Sequence, residues 1–305
     1  MPEIPDLEAY LAALRPRVVG VVLLRVRVAN PFLLRTVEPP LAAVEGRRVS
    51  AVERLGKRIV FGFDGGNPTE PDLFVVIHLM VAGRLHWREA GASVPKGRGL
   101  AAFDFPGGSL LLTEAGKKRR ASLHLVVGRA GLSALDPGGL EVAEATFAQF
   151  RGALLRENHT LKRALTDPHI LSGIGNAYSD EILHRSRLSP FKQTETLADD
   201  EWLRLHEATV TVLDEWKLRL IADMGEGFPE KVTAFREEMA VHGRFGEPCP
   251  VCGTSVQRIR YAENECNYCP RCQTEGRVLA DRALSRLLKD SWPKTIEELE
   301  NRRRS

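Results

Sequence analysis

The sequence contains no apolar run long enough to cross a membrane, since a spanning helix needs about 18 or more consecutive apolar residues. It also lacks a secretory signal, because its first ten residues include two prolines and three acidic residues where a signal would place basic and then apolar ones. We therefore expect a cytoplasmic protein.

A large excess of one charge is missing as well, since 43 Lys and Arg residues against 40 Asp and Glu residues leave a net charge of +3. Net charge alone is therefore weak evidence for a nucleic-acid partner. Local clusters say more: the basic block Lys117–Arg120 stands between two apolar segments, and Arg258 and Arg260 lie among the cysteines. One such cluster alone is usually a solvated surface, but near other nucleic-acid signals it favours phosphate contacts.

Cysteines are few, and four of the five form two Cys-x-x-Cys pairs, Cys249–Cys252 and Cys269–Cys272, with 16 residues between the pairs. This spacing predicts one tetrahedral zinc ion in a reducing compartment rather than disulfide bonds. The intervening residues alternate as in a β-hairpin. The zinc module is either a structural staple alone or a hairpin that lays Arg258 and Arg260 along a phosphate backbone. Cys266 is left over, as a packed or partly exposed free thiol.

The first 133 residues are dominated by short apolar runs rich in Val, Leu and Phe, separated by turn clusters such as Asp64–Pro68 and Pro106–Gly108. A predicted helix over Pro5–Leu14 precedes them, with a proline in its first turn and an apolar stripe. The runs predict strands over Val21–Val28, Arg58–Phe63, Phe74–His78, Leu100–Phe105, Ser109–Thr113 and Leu123–Val127. Short strands at this spacing are typical of a β-sandwich.

Beyond the linker Asp136–Gly139 the apolar period becomes helical. The Gly-rich segment Met224–Pro229 is expected to be a loop, and apolar residues between Ala280 and Leu288 predict a late helix. The other predicted helices are Phe147–Leu155, Leu161–Thr166, Tyr178–Arg187 and Glu201–Ile221. We therefore expect a multidomain α+β protein with an N-terminal β-sandwich domain (1–133), a helical domain with a loop (134–241), a zinc hairpin (242–275) and a C-terminal helical tail (276–305).

The amino terminus carries a second chemical signal. If Met1 is removed, the chain begins with the secondary amine of Pro2, next to the carboxylate of Glu3. Such an amine attacks an aldehyde or a sugar C1′ and forms a positively charged iminium, which acts as an electron sink. Its unperturbed pKa of about 8 leaves a neutral fraction at neutral pH. A plain N-terminal proline is the alternative, and it is the better interpretation without further support.

Several short motifs occur in the order and spacing of one known family. They are Pro2–Glu8, Gly56–Lys57, His78–Leu79, Leu161–Lys162, Gly173–Glu181, His242–Arg244 and the two cysteine pairs. Over residues 1–273 the chain resembles the family of formamidopyrimidine-DNA glycosylase and endonuclease VIII, which are bifunctional base-excision enzymes with a helix-two-turn-helix domain and a zinc hairpin. The resemblance implies a DNA glycosylase and AP lyase that removes oxidised or ring-opened bases through a Schiff-base intermediate.

The resemblance also implies roles for individual residues. The lesion nucleotide leaves the stack, Pro2 attacks its C1′, and Glu3 protonates the sugar ring oxygen. Lys57 would bind a phosphate and assist catalysis. Asp6 would be a catalytic carboxylate at a position where the family usually has a glutamate. DNA contacts are implied for Met80, Val81, Arg98, Lys117, Lys118, Lys162, Asn176, Arg244 and Asn264. One structural zinc would be held by Cys249, Cys252, Cys269 and Cys272, and the partner would be damaged duplex DNA, bound by a monomer.

Besides Asp6, the chain departs from the family pattern at three places. Met80 and Val81 replace the usual Gly and Met, so either is a candidate for the side chain that enters the emptied base stack. The block Gly116–Arg120 replaces an Arg-Arg-Phe loop, so its aromatic wedge is absent and one of the lysines is a candidate for the arginine's place. Asn264 replaces a zinc-hairpin arginine. Because asparagine cannot make the charged bidentate phosphate contact of arginine, we expect δ-elimination to be weaker than β-elimination.

Three questions stay open at this level. Asn176 either contacts a phosphate at the start of a helix or is simply the N-cap of that helix after a Gly-rich connection. The competing functional hypotheses are a non-catalytic protein that recognises DNA or RNA structure and a generic zinc-ribbon scaffold. Neither has a use for a proline amine, and the scaffold does not explain the turn Gly173–Asn176. The preference between purine and pyrimidine lesions is not predicted.

Overall fold

The computed structural model of the chain describes residues 1–65, 70–116, 118–230, 232–261, 264–280 and 293–304, with the backbone alone at 261, 264, 300 and 302–304. The described residues divide into two compact units, residues 1–137 with 215–233 and residues 138–214 with 234–305. The finer division drawn from the sequence, with boundaries at 133, 241 and 275, stays a prediction.

The first unit consists of helix α1 (Ile4–Val18), two antiparallel four-stranded sheets and the short helix α2 (Gly128–Ser133). One sheet has the strand order β1 (Arg25–Val28), β6 (Gly99–Phe105), β7 (Gly108–Glu114), β5 (Gly83–Arg88). The other has the order β2 (Val49–Leu55), β3 (Arg58–Phe63), β4 (Leu73–His78), β8 (Ser122–Val127).

The apolar core of this unit lies between the two sheets. Alternate side chains of the strands point inward, and Phe61 on β3 stacks on Phe103 on β6 with ring centroids 6.2 Å apart. Helix α1 adds Leu7, Leu11 and Leu14 to the same core, each fully buried. The structure therefore confirms the predicted β-sandwich with a flanking helix.

The second unit is built mainly from helices, as the apolar period predicts. They are α3 (Phe147–Leu154), α4 (Leu161–Thr166), α5 (Asn176–Arg185) and α6 (Asp199–Met224), the last of which continues into the first unit from residue 215. Threonine hydroxyls cap two of them: Thr146 accepts from the backbone N–H of Gln149 before α3, and Thr160 accepts from that of Arg163 before α4.

The cysteine-rich part of the second unit contains the predicted hairpin, β9 (Gln257–Tyr261) and β10 (Asn264–Tyr268), followed by α7 (Pro270–Thr274). The tail ends in helix α8 (Ile296–Arg304). The backbone N–H of Leu279 in the tail donates to Tyr268 Oη in this part at 2.7 Å, and within the tail the backbone N–H of Ile296 donates to Gly276 O at 2.9 Å. The helix predicted up to Leu288 lies outside the described residues from 281 onward.

Within the described ranges, none of the helices combines the length and the apolar character that a membrane crossing requires.

Candidate functional site

The amino terminus leads directly into helix α1. Glu3 precedes the helix, and its backbone N–H donates to Asp6 Oδ2 at 3.0 Å. The Glu3 carboxylate in turn accepts from the backbone N–H of Asp6, which completes a capping box. Both residues are only 3% exposed. The capping box therefore fixes the candidate acid Glu3 beside the start of the chain, and Asp6 positions Glu3 through this capping box.

The amine at the chain start in this structure is that of Met1, and it lies among groups of both charges. Burial lowers the pKa of the Met1 amine below the ordinary value of 8.0, the carboxylates of Glu3 and Asp6 raise it, and the cations Arg84 and Lys57 lower it. The Pro2 nitrogen becomes an amine only when Met1 is removed, and these four charged groups act on the part of the chain where that amine would form. Sequence reasoning does not identify Arg84, because an arginine on a half-exposed strand carries no motif.

Lys57 lies at the tip of the two-residue turn between β2 and β3. Gly56 has a φ of 60°, the left-handed conformation that such a tight turn requires. His78 lies opposite Arg58 where β4 ends, and burial lowers the pKa of His78 to about 4, with Arg58 and Lys57 lowering it as well. The imidazole is therefore neutral at neutral pH, so one ring nitrogen donates and the other accepts. His78 belongs to one of the family motifs, but the sequence analysis did not predict it as a site residue.

The turn between β4 and β5 exposes the two stacking candidates to different extents. Met80 has a φ of 51°, the left-handed conformation that glycine adopts more readily, and its side chain is half-buried. Val81 is 59% exposed. The Arg84 guanidinium donates to Val81 O at 3.1 Å and to Gly83 O at 2.6 Å, which braces the turn. Of the two side chains, Val81 is the one that the turn presents to solvent.

The basic loop after β7 is closed by a buried carboxylate. Glu114 is 2% exposed, and both of its carboxylate oxygens accept from the backbone N–H of Arg120 at 3.0 Å. The Glu114 backbone N–H donates to Arg98 O at 2.9 Å, so the exposed residue Arg98 lies at the base of the loop. Lys118 is exposed on the loop. Lys117 lies outside the described residues.

Lys162 is buried in the second unit rather than presented to solvent. Its ammonium donates to Asp180 Oδ1 at 2.5 Å, to Asn176 O at 2.8 Å and to Ser179 Oγ at 2.8 Å. Its side chain is 13% exposed, and that of Asp180 is fully buried. An ammonium has three protons, and these contacts direct all three at protein acceptors. The geometry favours a positioning role for Lys162 over the predicted phosphate contact.

Asp180 connects helix α5 to the zinc module. Besides Lys162, it accepts from the backbone N–H of Asn267 on β10 at 3.0 Å, and its Oδ2 lies 2.8 Å from His242 Nδ1. Burial and the nearby Asp180 raise the pKa of the Cys266 thiol well above its ordinary value, so Cys266 is a packed, unreactive thiol. None of these contacts can be read from sequence spacing, because the partners are distant along the chain.

Asn176 is the first residue of α5, and Gly175 is the N-cap. The alternative prediction that Asn176 is the N-cap is therefore wrong. Its Nδ2 donates to Glu265 O on β10 at 2.7 Å, which joins the start of the helix to the hairpin. Arg244 donates to Glu247 Oε2 at 2.7 Å and to Glu237 O at 2.8 Å. Asn264 begins β10, and only its backbone is described.

The four predicted metal ligands converge. The Sγ atoms of Cys249, Cys252, Cys269 and Cys272 all lie within 4.8 Å of one another. A tetrahedral ion with Zn–S bonds of about 2.3 Å separates its sulfurs by roughly 3.8 Å, and the Cys249–Cys272 and Cys252–Cys269 pairs are 3.9 and 3.4 Å apart. His184 Nε2, 3.2 Å from Cys249 Sγ, supports one of the ligands from outside the cluster. These residues fit one structural zinc ion, and four thiolates leave no position for a substrate.

Three family models match the chain. The N-terminal domain of formamidopyrimidine-DNA glycosylase matches residues 1–120, the H2TH domain of the same enzyme matches residues 135–217, and a zinc finger found in FPG and IleRS matches residues 246–274. The last match includes all four cysteines of the cluster and supports the assignment of zinc.

Two curated relatives are similar over their whole length. The formamidopyrimidine-DNA glycosylase of Heliobacterium modesticaldum is 32% identical over 286 residues, which cover 90% of this chain and 100% of the relative. That of Thermus thermophilus is 35% identical over 288 residues, with the same coverage. A solved complex of Lactococcus lactis Fpg with DNA containing an abasic site has a TM-score of 0.76 at 22% identity, covering 89% of this chain and 99% of that one. At this identity the likeness shows the fold.

Proposed function

The chain belongs to the formamidopyrimidine-DNA glycosylase family, and we propose that Pro2 and Glu3 carry out its glycosylase and AP lyase reactions. The enzyme removes oxidised or ring-opened bases from damaged duplex DNA in base excision repair and then cuts the strand at the abasic site. One observation carries the assignment of residues: the Glu3 carboxylate, which a capping box holds in place, and the cations Arg84 and Lys57 act on the start of the chain, where removal of Met1 exposes the Pro2 amine. The protein acts as a monomer in the cytoplasm, or at the nucleoid in a bacterium.

The chemistry follows from these two residues. After removal of Met1 the Pro2 nitrogen attacks C1′ of the extruded nucleotide, and the C1′–N bond breaks as the base leaves with its electron pair and takes up the proton that the Pro2 nitrogen loses. Glu3 protonates the ring oxygen, the sugar opens, and an iminium forms between the Pro2 nitrogen and C1′. Loss of a proton from C2′ then expels the 3′ phosphate. Water finally hydrolyses the conjugated iminium and releases the enzyme.

The surrounding residues supply the charge and shape that this reaction needs. Lys57 at its turn and the neutral His78 offer N–H donors to phosphate oxygens beside the amine. Val81 fills the space that the extruded nucleotide leaves, since it is the exposed side chain of a braced turn. Arg98 and Lys118, which lie at the loop that the Glu114 carboxylate closes, contact the DNA strand opposite the damaged one.

In the second unit, Asn176 and Arg244 bind the DNA backbone. Asn176 stands at the N-terminus of α5, where the positive end of the helix dipole favours a phosphate. Lys162 acts indirectly, by fixing Asn176 O and Asp180. The zinc ion stabilises the hairpin, and the second strand of this hairpin begins at Asn264. With asparagine at this position we expect β-elimination to dominate over δ-elimination.

Incision and trapping on one set of duplexes test the assignment. A duplex with a ring-opened purine or an oxidised pyrimidine should be cut, and borohydride should trap a covalent complex. Glu3→Gln should lower base excision at least ~100-fold, the scale of a lost general acid. Glu8→Gln is the matched control, because Glu8 lies on the helix that follows Glu3 and pairs with Arg54 at 3.2 Å. Binding of damaged DNA by the wild type without incision or adduct would support the non-catalytic alternative.

A further inference from the structure

The tail, residues 276–305, follows the last residue that the family models match, residue 274. It begins just after α7, the helix whose N-cap is the zinc ligand Cys269 and which contains the ligand Cys272. The backbone N–H of Gly276 donates to the carbonyl of Pro270, the first residue of α7, at 2.9 Å. The start of the tail is therefore attached to the segment that carries two of the four zinc ligands.

Two parts of the tail pair with each other. The backbone N–H of Ile296 donates to Gly276 O at 2.9 Å, and that of Val278 donates to Lys294 O at 3.0 Å. An antiparallel bridge forms between these two bonds. Ile296 is the first residue of α8 and is only 3% exposed. This short ladder joins the first residues of the tail to the start of helix α8.

The tail also contacts the residue that precedes Cys269. Tyr268 is the last residue of β10 and is fully buried. Its hydroxyl accepts from the backbone N–H of Leu279 at 2.7 Å. The Leu279 side chain packs against the cluster that Ile259, Cys266 and Tyr268 form on one face of the hairpin. The tail therefore holds the ligand-bearing segment at both of its ends.

Strand β10 connects these tail contacts to the residues that we propose to bind DNA in the second unit. Glu265 O on this strand accepts from Asn176 Nδ2 at 2.7 Å, and the backbone N–H of Asn267 donates to Asp180 Oδ2 at 3.0 Å. The hairpin has only five residue pairs, and an isolated two-stranded hairpin is marginally stable at best. Its position therefore depends on contacts from outside, and the tail supplies one of them at Tyr268.

From these contacts we infer that the tail holds the zinc module closed: Tyr268, Leu279 and Ile296 are positioning residues that slow the loss of zinc and fix the hairpin for DNA binding. The part of this inference that concerns DNA rests on the proposed function, whereas the part that concerns zinc does not. A chelator reaches an ion held by four thiolates only when the module opens locally. Contacts that oppose this opening therefore slow zinc release.

The rate of zinc release tests the first part. The full-length, zinc-loaded protein is mixed with a large excess of the chromogenic chelator pyridylazoresorcinol, and the coloured zinc complex is followed with time. Tyr268→Phe keeps the aromatic ring and removes the acceptor of the Leu279 N–H, and Ile296→Ala removes buried apolar surface from the ladder. Each variant should release zinc at least about fivefold faster than the wild type, because each loses a contact that opposes opening.

Glu297→Gln is the matched control in the tail. Glu297 follows Ile296 on helix α8, and its carboxylate lies 3.9 Å from the Arg271 guanidinium, with side chains that are 64% and 63% exposed. Such an exposed pair contributes little, so this variant should release zinc at the wild-type rate.

Steady-state incision of an abasic-site duplex, with zinc present throughout, tests the second part. Tyr268→Phe and Ile296→Ala should each raise KM at least about threefold and keep kcat within about twofold of the wild type, because these residues position a binding element and take no part in bond making. Amide hydrogen exchange of Glu265–Tyr268 should rise at least about fivefold in the same two variants. Glu297→Gln should keep the wild-type KM and exchange.

The outcomes separate this inference from the proposed function. Zinc release at the wild-type rate in both tail variants would overturn the inference, and so would faster release with an unchanged KM. If one of the two variants does not fold, the other decides. A wild type that neither cuts nor traps DNA would instead reject the proposed function, while the rates of zinc release would still report on the tail.

Discussion

Replacing Lys162 by methionine distinguishes a buried positioning residue from a DNA contact. Lys162 donates to Asp180, Asn176 O and Ser179, and the Asp180 carboxylate is fully buried. Methionine keeps the length of the side chain and leaves the Asp180 charge without its cation. Removing one partner of a buried pair typically costs about 3–5 kcal/mol, so the second unit should lose about that much unfolding free energy.

For the same variant, a positioning role of Lys162 predicts a specific result for DNA affinity. A lysine that contacts a phosphate contributes about 0.9 to the slope of log K against log salt concentration. If Lys162 only positions Asn176, the affinity of Lys162→Met falls while the slope keeps its wild-type value. Urea unfolding of the zinc-loaded protein and binding to an abasic-site duplex between 50 and 200 mM salt, roughly the range over which such slopes are read, measure both quantities.

Lys192→Met is the matched control for this experiment. Lys192 pairs with Glu201 at 2.5 Å, but the two side chains are 29% and 16% exposed. We expect a loss of about 1 kcal/mol or less for this half-exposed pair. A Lys162→Met protein of wild-type stability whose salt slope is reduced by about one would refute the reasoning and restore the direct phosphate contact.

Three further predictions concern the terminal amine, the hairpin and the zinc ion. Arg84→Gln should raise the pKa of the terminal amine, so the acid limb of the pH–trapping profile should move to higher pH. Arg84→Lys keeps the positive charge and should leave this limb in place. Identical profiles for the wild type and both variants would contradict the prediction. Asn264→Arg should increase the δ-elimination product on an abasic-site oligonucleotide, and a wild type that already gives mainly that product would show the expectation to be wrong. Removing zinc with a chelator should abolish DNA binding and lower the unfolding temperature, and adding zinc should restore both; full binding by the metal-free protein would count against a structural role.

Apolar patterns predicted most elements but missed strands β2 and β5. Strand β3 and helix α4 match their predicted bounds because their apolar positions follow the period of the element. Strand β2 contains Glu53 and Arg54, and β5 contains Arg84, His86 and Arg88, so polar residues interrupt the apolar runs. These strands are held by pairing with β3 and β7, which a local pattern does not show.

The residues of the candidate site were likewise predicted from the sequence only in part. The cysteine spacing predicted the zinc cluster because the ligands come from two short turns whose geometry is local. Lys162 was predicted to contact a phosphate, and its hydrogen bond to Asp180 on the next helix does not follow from the local sequence. Arg84 was missed because its role depends on contacts with the turn before β5 and with the chain start, which the fold alone brings together.

The identity of the trapped nitrogen is the most direct test of the central claim. After borohydride reduction on an abasic-site duplex, digestion and peptide mass mapping should place the deoxyribose remnant on the amino-terminal peptide, at Pro2, with Met1 absent. The adduct should disappear when the terminal amine is acetylated. A remnant on the Lys57 side chain, or trapping at full yield by protein that retains Met1, would contradict the account.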